Sequence, residues 1–429
     1  LAALTTAGAV SGWAEALDVS RAWGGTLPLG RLLEDAIHFA EDGAAVTETL
    51  AENTRAKLDE LKDAPGFTGN FFIDGAFPEK GARFRQPRIA ETLRRLAEAG
   101  LDDFYRGELA RAIAADLERA GSPLRLADLE RHRALRVTPL SLEVAGHRVF
   151  NMPPPTQGLA SLMVLGIYER LGIDSPETFE YVHGLVEASK RAFRVRDRHI
   201  GDPAYMNVEP ADFLSPDGLA EMAADIDMAA ALPWPDAAQK GDTVWLGAID
   251  GEGRAVSFIQ SIYWEFGSGT VLDETGITWQ NRGTSFSLDP AHHNCLKPHR
   301  RPFHTIQPAL ARLGDGRVMP YGTMGGEGQP QTQAMVFSRH VLHGQELQRA
   351  VTAPRWLLGR TWGAETANLR IENRFDPAII DGLRDAGHDL EVVGAFDEVM
   401  GHAGALVHHP DGLIEGAADP RGDGQAAGF

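Results

Sequence analysis

The sequence predicts a mixed helix-and-sheet protein of the α/β (α+β) class, on three observations. Apolar residues recur at three- and four-residue spacings through much of the first 240 positions, the period of a helix with one buried face. From Thr243 the chain turns glycine-rich and strand-forming up to about Val318, and mixed helix and strand patterns follow to the end. Between these regimes lies a polar, proline-containing stretch, Pro233-Trp-Pro-Asp-Ala-Ala-Gln-Lys-Gly241, the best internal boundary.

Taken in order, residues 29–39, 46–62, 87–99 and 109–120 each predict a helix. Residues 140–144 and 147–150 read as two short strands joined by Ala-Gly. Pro153-Pro-Pro-Thr-Gln-Gly158 follows as a rigid loop or edge, because proline fixes φ and donates no hydrogen bond. Helices are expected over 159–171 and 178–195. Thr243-Val-Trp-Leu-Gly-Ala-Ile-Asp250 and Ala255-Val-Ser-Phe-Ile-Gln-Ser-Ile262 then form a hairpin about a Gly-Glu-Gly-Arg turn. The sequence has no internal repeat and no low-complexity tract.

The chain has 429 residues, 43% of them hydrophobic and 24% charged, enough for a sizeable core and about three average domains. Its net charge of −19 comes from dispersed acids, which speaks against a nucleic-acid partner. No apolar run approaches the length of a membrane span, so no membrane partner is expected. Cys295 is the one cysteine, which excludes an intrachain disulfide and a multi-cysteine metal site. A chain that needs no oxidising compartment suits the cytoplasm. The periplasm is the alternative, because the sequence opens at Leu1 without showing a native N-terminus.

The chemistry centres on Asp242-Thr243. A threonine opening a strand is ordinarily just a β-former. Freed by cleavage of the chain before it, however, it offers a hydroxyl nucleophile and its own α-amine, whose pKa of about 8 lets it act as base. Further along, Arg300-Arg-Pro-Phe-His-Thr-Ile-Gln-Pro308 supplies side-chain donors. Tyr321-Gly-Thr-Met-Gly-Gly-Glu-Gly328 supplies a Gly-Gly pair whose N–H groups can approach a ligand without Cβ obstruction. A nucleophile, a base and oxyanion donors are what amide hydrolysis requires. Metal chemistry is not expected. His292-His293 and His408-His409 are adjacent pairs, which a strand points to opposite faces. His183 and Glu187, four apart on a helix, read as a local surface or packing pair. No cofactor is expected.

The order of segments resembles the γ-glutamyltransferase family of N-terminal-nucleophile hydrolases over essentially the whole chain. The matching stretches are Ala7-Gly-Ala-Val-Ser-Gly-Trp13, Phe84-Arg-Gln-Pro-Arg-Ile-Ala-Glu-Thr-Leu93, Phe104-Tyr-Arg-Gly107, Pro153-Pro-Pro-Thr-Gln-Gly158 and the Thr243 hairpin. Phe266-Gly-Ser-Gly269, Arg301-Pro-Phe-His-Thr305, Met324-Gly-Gly326, Ala353-Pro-Arg355 and Asp419-Pro-Arg421 complete the set. The resemblance implies a four-layer αββα sandwich, self-cleaved between Asp242 and Thr243 into a large subunit, 1–242, and a small one, 243–429. These would form a heterodimer, with a dimer of heterodimers as a further option.

The resemblance also implies residue roles. Thr243 fits the nucleophile, Gly325 and Gly326 the oxyanion glycines, and Ser261 the hydroxyl that supports the nucleophile. The substrate end departs from the family. Tyr263 stands for an asparagine, Arg282 for a glutamine or similar polar residue, and Ser285 for the aspartate that grips an α-ammonium. His304 and Thr305 replace the serine pair that holds the α-carboxylate. The family's upstream arginine, which also binds the α-carboxylate, has no counterpart among these residues. Ser285 cannot pair an ammonium, whereas Arg282 offers a fork for a carboxylate. The candidate substrate-binding set is therefore Tyr263, Gln280, Asn281, Arg282, His304 and Thr305, around a small anion without an amine. Arg282 as a structural ion-pair partner and His304 as a core histidine are the plain alternatives. Within the family the chain looks most like the oxamate amidohydrolases of purine catabolism. The alternatives are a γ-glutamyltransferase or glutathione hydrolase, with Glu265 or Glu327 holding the ammonium, a glutaryl-type acylase, and an inactive binding module on the same fold.

Overall fold

The computed structural model describes residues 3–234, 242–359 and 368–429, so residues 235–241 of the polar boundary stretch lie outside the described residues. Packing divides the chain into two units, Leu1–Arg136 with Ile262–Thr284, and Val137–Ser261 with Ser285–Phe429. The 242/243 junction is an expectation about cleavage and does not coincide with these units.

The first unit is mainly helical. Glu108–Arg119 buries Leu109, Ile113 and Leu117, at spacings of four, in a cluster with Phe104, Tyr105 and Trp279. Leu29–Asp42 packs on Pro87–Ala99. The single helix expected over 46–62 is instead two, Glu48–Ala56 and Leu58–Leu61. Thr47 sets the late start, its hydroxyl accepting the Leu50 N–H at 3.1 Å as an N-cap.

The strand-forming character read from 243 to 318 also needs correction. Between the hairpin and the strand Ala309–Arg312 the described chain is loop and turn with isolated bridges and one short 3-10 helix, Arg282–Ser285. In the first unit, residues 264–284 bond partly among themselves and partly to helices and the N-terminal segment, instead of forming a ladder. Thr92 Oγ1 donates to Thr275 O at 2.8 Å, Glu274 N to Asp116 Oδ2 at 2.9 Å, and Trp279 Nε1 to Thr5 O at 3.2 Å. Gly267, at φ 56°, sits where a Cβ would lie 2.4 Å from Trp279 O, so this turn admits only glycine.

The second unit is layered. Six antiparallel strands form one sheet in the order Ile414–Ala418, Ala403–His408, Val318–Thr323, Ala309–Arg312, His147–Asn151, Leu140–Val144. The last two are the expected hairpin, turning through Ala145 and Gly146, both at positive φ as a two-residue turn requires. Gly158–Glu169 and Gln329–Phe337 lie on the sheet, and Phe179–His199 packs on both of these helices. Gly158–Glu169 is buried from Gly158 through Tyr168 and is apolar all round, as an interior helix should be.

The hairpin of Asp242–Ile249 and Ala255–Tyr263 lies against the strands Ala403–His408 and Val318–Thr323. Its seat is the Trp245 indole. A Cβ on Gly322 or Gly404 would approach that ring to 2.2 or 2.4 Å, so two glycines in neighbouring strands make the floor of the indole's slot. Trp245 Nε1 donates to Ser257 Oγ at 3.0 Å across the hairpin. No helix among the described residues is long and apolar enough to cross a membrane.

Candidate active site

Thr243 stands at the second position of the strand Asp242–Ile249. Exposure alternates along this strand, with Thr243, Trp245 and Gly247 half-buried and Val244, Leu246 and Ala248 exposed. Thr243 therefore shares the face of the strand that the Trp245 indole anchors. Its Oγ1 donates to Ser261 Oγ at 3.0 Å, which joins the two hydroxyls that the sequence paired as nucleophile and support. The loop closing the hairpin is held by Asp250, whose carboxylate accepts the N–H groups of Glu252 and Arg254 and pairs with Arg254 Nε at 2.6 Å.

The Gly-Gly segment leaves the buried strand Val318–Thr323 and turns at once. Gly325 and Gly326 have φ of 114° and 53°, values that disfavour a side chain, before the 3-10 turn Gly326–Gly328. Gly325 O accepts the Gly328 N–H at 2.9 Å. Across a trans peptide N–H and C=O point in opposite directions, so the Gly326 N–H is aimed away from that bond. Gly401 packs beneath the loop, where a Cβ would lie 2.6 Å from Met324 O.

His304 and Thr305 are tied to the proline-rich loop. His304 N donates to Pro155 O at 2.8 Å, and Gln157 N donates to His304 O at 3.0 Å. His304 Nδ1 accepts the Ile306 N–H at 3.4 Å. Thr305 is buried.

Arg196, Ser285, Asn294, Phe303 and Glu327 are among the residues lining a cavity of about 1000 Å³ in the same unit. Two acids on the cavity wall, Asp197 and Glu327, are both bound by Arg196. Glu327 Oε2 takes a bond from Arg196 Nη2 at 2.9 Å, and Arg196 Nε bonds Asp197 at 2.6 Å. Burial pulls the Arg196 guanidinium down, but Asp197 and Glu327 hold it above its usual range and charged.

In the first unit, the Arg282 guanidinium lies 3.5 Å from the Tyr263 ring centroid, a close cation–π stack. Tyr263 itself is at φ 83°, a left-handed conformation that a bulky residue rarely takes and that marks a constrained position. Gln280 is engaged locally, its Nε2 on Thr5 Oγ1 at 2.6 Å and its Oε1 on the Arg282 N–H. Asn281 Oδ1 accepts the Trp264 N–H at 3.2 Å, and its buried Nδ2 makes no hydrogen bond among the described residues. Glu265 lies 4.0 Å from Lys57 Nζ.

One histidine reading changes, and another narrows to its packing alternative. His292 and His293 are in a turn, not a strand, and their rings lie side by side with centroids 4.3 Å apart. Each is engaged, His292 Nδ1 with the Asn294 N–H and His293 Nε2 with Ile200 O. His183 and Glu187 are not on the surface but fully buried, with His388 as a third neighbour. His183 bonds His388 and Asp227 O through its two nitrogens. Glu187 is paired with Lys190 at 2.7 Å and Arg191 at 2.9 Å. Burial, and then Lys190, push His388 down to about 3, so it is neutral. Two cations already balance the one carboxylate, and the group is an ion-pair knot.

Sequence reasoning missed Gln157 and Arg196. Gln157 sat in a motif noted for its prolines and its family resemblance, with no role given to the glutamine, and Arg196 lay one residue past the helix expected over 178–195.

Residues 1–429 match the gamma-glutamyltranspeptidase family, and the chain belongs to it. It is 54% identical over 429 residues to the oxamate amidohydrolase proenzyme of Klebsiella pneumoniae, covering all of this chain and 81% of that one. It is 40% identical over the same length to the glutathione hydrolase-like YwrD proenzyme of Bacillus subtilis, again covering 81% of the relative. A cephalosporin acylase from Bacillus halodurans superimposes with a TM-score of 0.89 at 36% identity, covering 100% of this chain and 78% of that one. The fold is accordingly the N-terminal-nucleophile hydrolase sandwich that the sequence implied, and the chain is an enzyme of that type.

Proposed function

We propose that the chain is a self-cleaving threonine amidohydrolase that hydrolyses a small carboxylate-amide, oxamate, to oxalate and ammonia. The observation that carries the reading is the Thr243 hydroxyl, 3.0 Å from Ser261 Oγ at the head of its strand. In maturation, Thr243 Oγ1 attacks the Asp242 carbonyl carbon, the peptide C–N bond breaks, and an ester replaces it. Water hydrolyses the ester and leaves an Asp242 carboxylate and a free Thr243 amine. Holding both groups in one chain supplies the proximity that makes such a step feasible.

In turnover, the Thr243 amine takes the hydroxyl proton while Oγ1 attacks the amide carbon. The oxyanion is received by the N–H groups of Gly325 and Gly326. The proton passes to the departing ammonia, and water then releases oxalate from the ester. We assign the substrate carboxylate to Arg282, with His304 and Thr305, and give Asn281 Nδ2 to the substrate as a donor. Tyr263 backs the guanidinium, and Gln280 sets the backbone of Arg282. The processed subunits stay together as a heterodimer, acting in the cytoplasm.

The anion assignment is supported by what the acids do. The γ-glutamyl alternative needs a carboxylate for the α-ammonium, but Glu327 is paired with Arg196, and Glu265 lies by Lys57. The oxamate name of the 54% identical relative supports the same choice. The test is a pair of assays. The wild-type protein should run as two fragments split at Asp242/Thr243 and release ammonia from oxamate faster than amine from γ-glutamyl-p-nitroanilide. Thr243→Ala should stay whole and release neither. Equal maturation and turnover in that variant would end the proposal.

A further inference from the structure

Gln157 is fully buried, and each of its side-chain hydrogen-bonding groups is engaged at a point that matters for the proposed chemistry. Its Nε2 donates to Gly326 O at 2.7 Å and to Thr305 O at 2.8 Å. Its Oε1 accepts from Arg196 Nη1 at 3.0 Å, and the same guanidinium holds Glu327, the residue after Gly326. The orientation of the amide is fixed by this surrounding. Turned over, its oxygen would face two carbonyl oxygens and its NH₂ would face a guanidinium, so all three contacts would become repulsive.

We propose that Gln157 is a positioning residue that clamps the Gly325-Gly326 turn to the His304-Thr305 segment. This rests on the reading of those glycines as oxyanion donors and of Thr305 as part of the carboxylate site. One planar amide, with two N–H bonds diverging from one nitrogen, sets the spacing of two carbonyls that come from distant parts of the chain. The distance between oxyanion donors and carboxylate contacts is thus fixed by a group that touches no substrate. For a substrate as short as oxamate, whose two carbon centres are directly bonded, that spacing has no slack. The backbone supplies the anchor. Gln157 N and His304 N form a two-way pairing between the proline-rich loop and the 304–305 segment, so the side chain reaches Gly326 from a fixed base. Gly158 keeps that base tight, since a Cβ there would lie 2.2 Å from Met152 O.

The test uses the full chain with Gln157→Leu, which keeps bulk and removes both donors, and Gln157→Glu, which keeps the Arg196 contact and removes the donors. Activity is expressed per mole of free N-terminal threonine, so that incomplete maturation does not count as slow catalysis. Both variants are expected to lose at least tenfold in kcat on oxamate and to show faster hydrogen exchange over 303–306 and 324–328 than the wild type. A merely structural role predicts a lower melting temperature with kcat per processed molecule within twofold and unchanged local exchange, and that result overturns the clamp. Should both Gln157 variants fail to fold, Arg196→Lys, which frees Oε1, is expected to move both readouts in the same direction, and no movement overturns it. Should the wild type release no ammonia from any amide, the functional reading fails, and exchange over the two segments alone decides the clamp.

Discussion

At the scale of single residues the site is a set of short polar contacts whose partners differ in what they control. The Thr243–Ser261 bond orients the hydroxyl that we propose as the nucleophile. A hydrogen bond of this kind contributes about 1 kcal/mol, or roughly fivefold in rate. Ser261→Ala is therefore expected to mature roughly fivefold more slowly on a denaturing-gel time course, while Ser261→Thr stays near wild type. Unchanged kinetics in Ser261→Ala would remove Ser261 from the mechanism. Ser285 bears on the substrate end. It lines the cavity shared with Glu327, and that acid is already held by Arg196. Ser285→Asp adds an unmatched carboxylate there and is expected to raise hydrolysis of γ-glutamyl-p-nitroanilide measurably above the parent. If it gains nothing, the missing-anion argument loses its support.

At the scale of elements the parity of the hairpin decides whether Thr243 can work. Successive strand residues face opposite ways, so a slip of one residue would turn Thr243 outward and Val244 inward. Apolar patterning favours that wrong register, since Val244, Leu246, Val256 and Ile262 are exposed. The Trp245 indole over Gly322 and Gly404 enforces the observed one. Gly322→Ala puts a methyl 2.2 Å from the ring, an overpacking that typically costs about 1–3 kcal/mol. It is expected to lower the melting temperature and to slow self-cleavage at least tenfold. Adding Trp245→Leu should restore some stability without restoring the rate. Normal cleavage in Gly322→Ala would show that the slot does not set the register.

At the scale of the molecule, the second unit is tied together by a buried ion network built from the Ala353-Pro-Arg355 and Asp419-Pro-Arg421 motifs. Arg421 pairs with Glu372 through Nε at 2.7 Å and Nη2 at 2.6 Å and with Asp419 at 3.0 Å, and Arg355 pairs with Asp419. Asp419 also accepts the Ala403 N–H at 2.7 Å. Burial pushes the Asp419 carboxyl up, but the Arg355 and Arg421 guanidinium groups and the Ala403 and Arg421 backbone N–H groups outweigh it and hold it below the ordinary aspartate value of 3.8. A depressed pKa means stability that is present above 3.8 and is lost as pH falls through the folded value. Removing one member of such a buried group costs about 3–5 kcal/mol, because the remaining charges are left uncompensated. Asp419→Asn is thus expected to lower the urea midpoint clearly at pH 7, with the gap to wild type narrowing below about pH 4. Equal midpoints at pH 7 would show that the network is not stabilising.

Much of this is legible in the amino-acid sequence. Helices such as Pro87–Ala99, the 140s hairpin and the Thr243 hairpin follow from local periodicity and turn residues, which depend on near neighbours in the chain. The order of short motifs carried the family and, with it, Thr243, Ser261 and the glycine pair as candidates. The irregular path of residues 264–308 was not legible, because glycines and β-formers there read as strand while their partners lie far away in sequence. Nor was the second role of the proline-rich loop, since Gln157 meets Thr305 and Gly326 across 148 and 169 residues. Sequence fixed which groups could do the chemistry, because residue type and short spacing determine intrinsic reactivity and local shape. Only tertiary packing decided which way Thr243 faces and which acids are already paired, because those outcomes depend on contacts between distant segments.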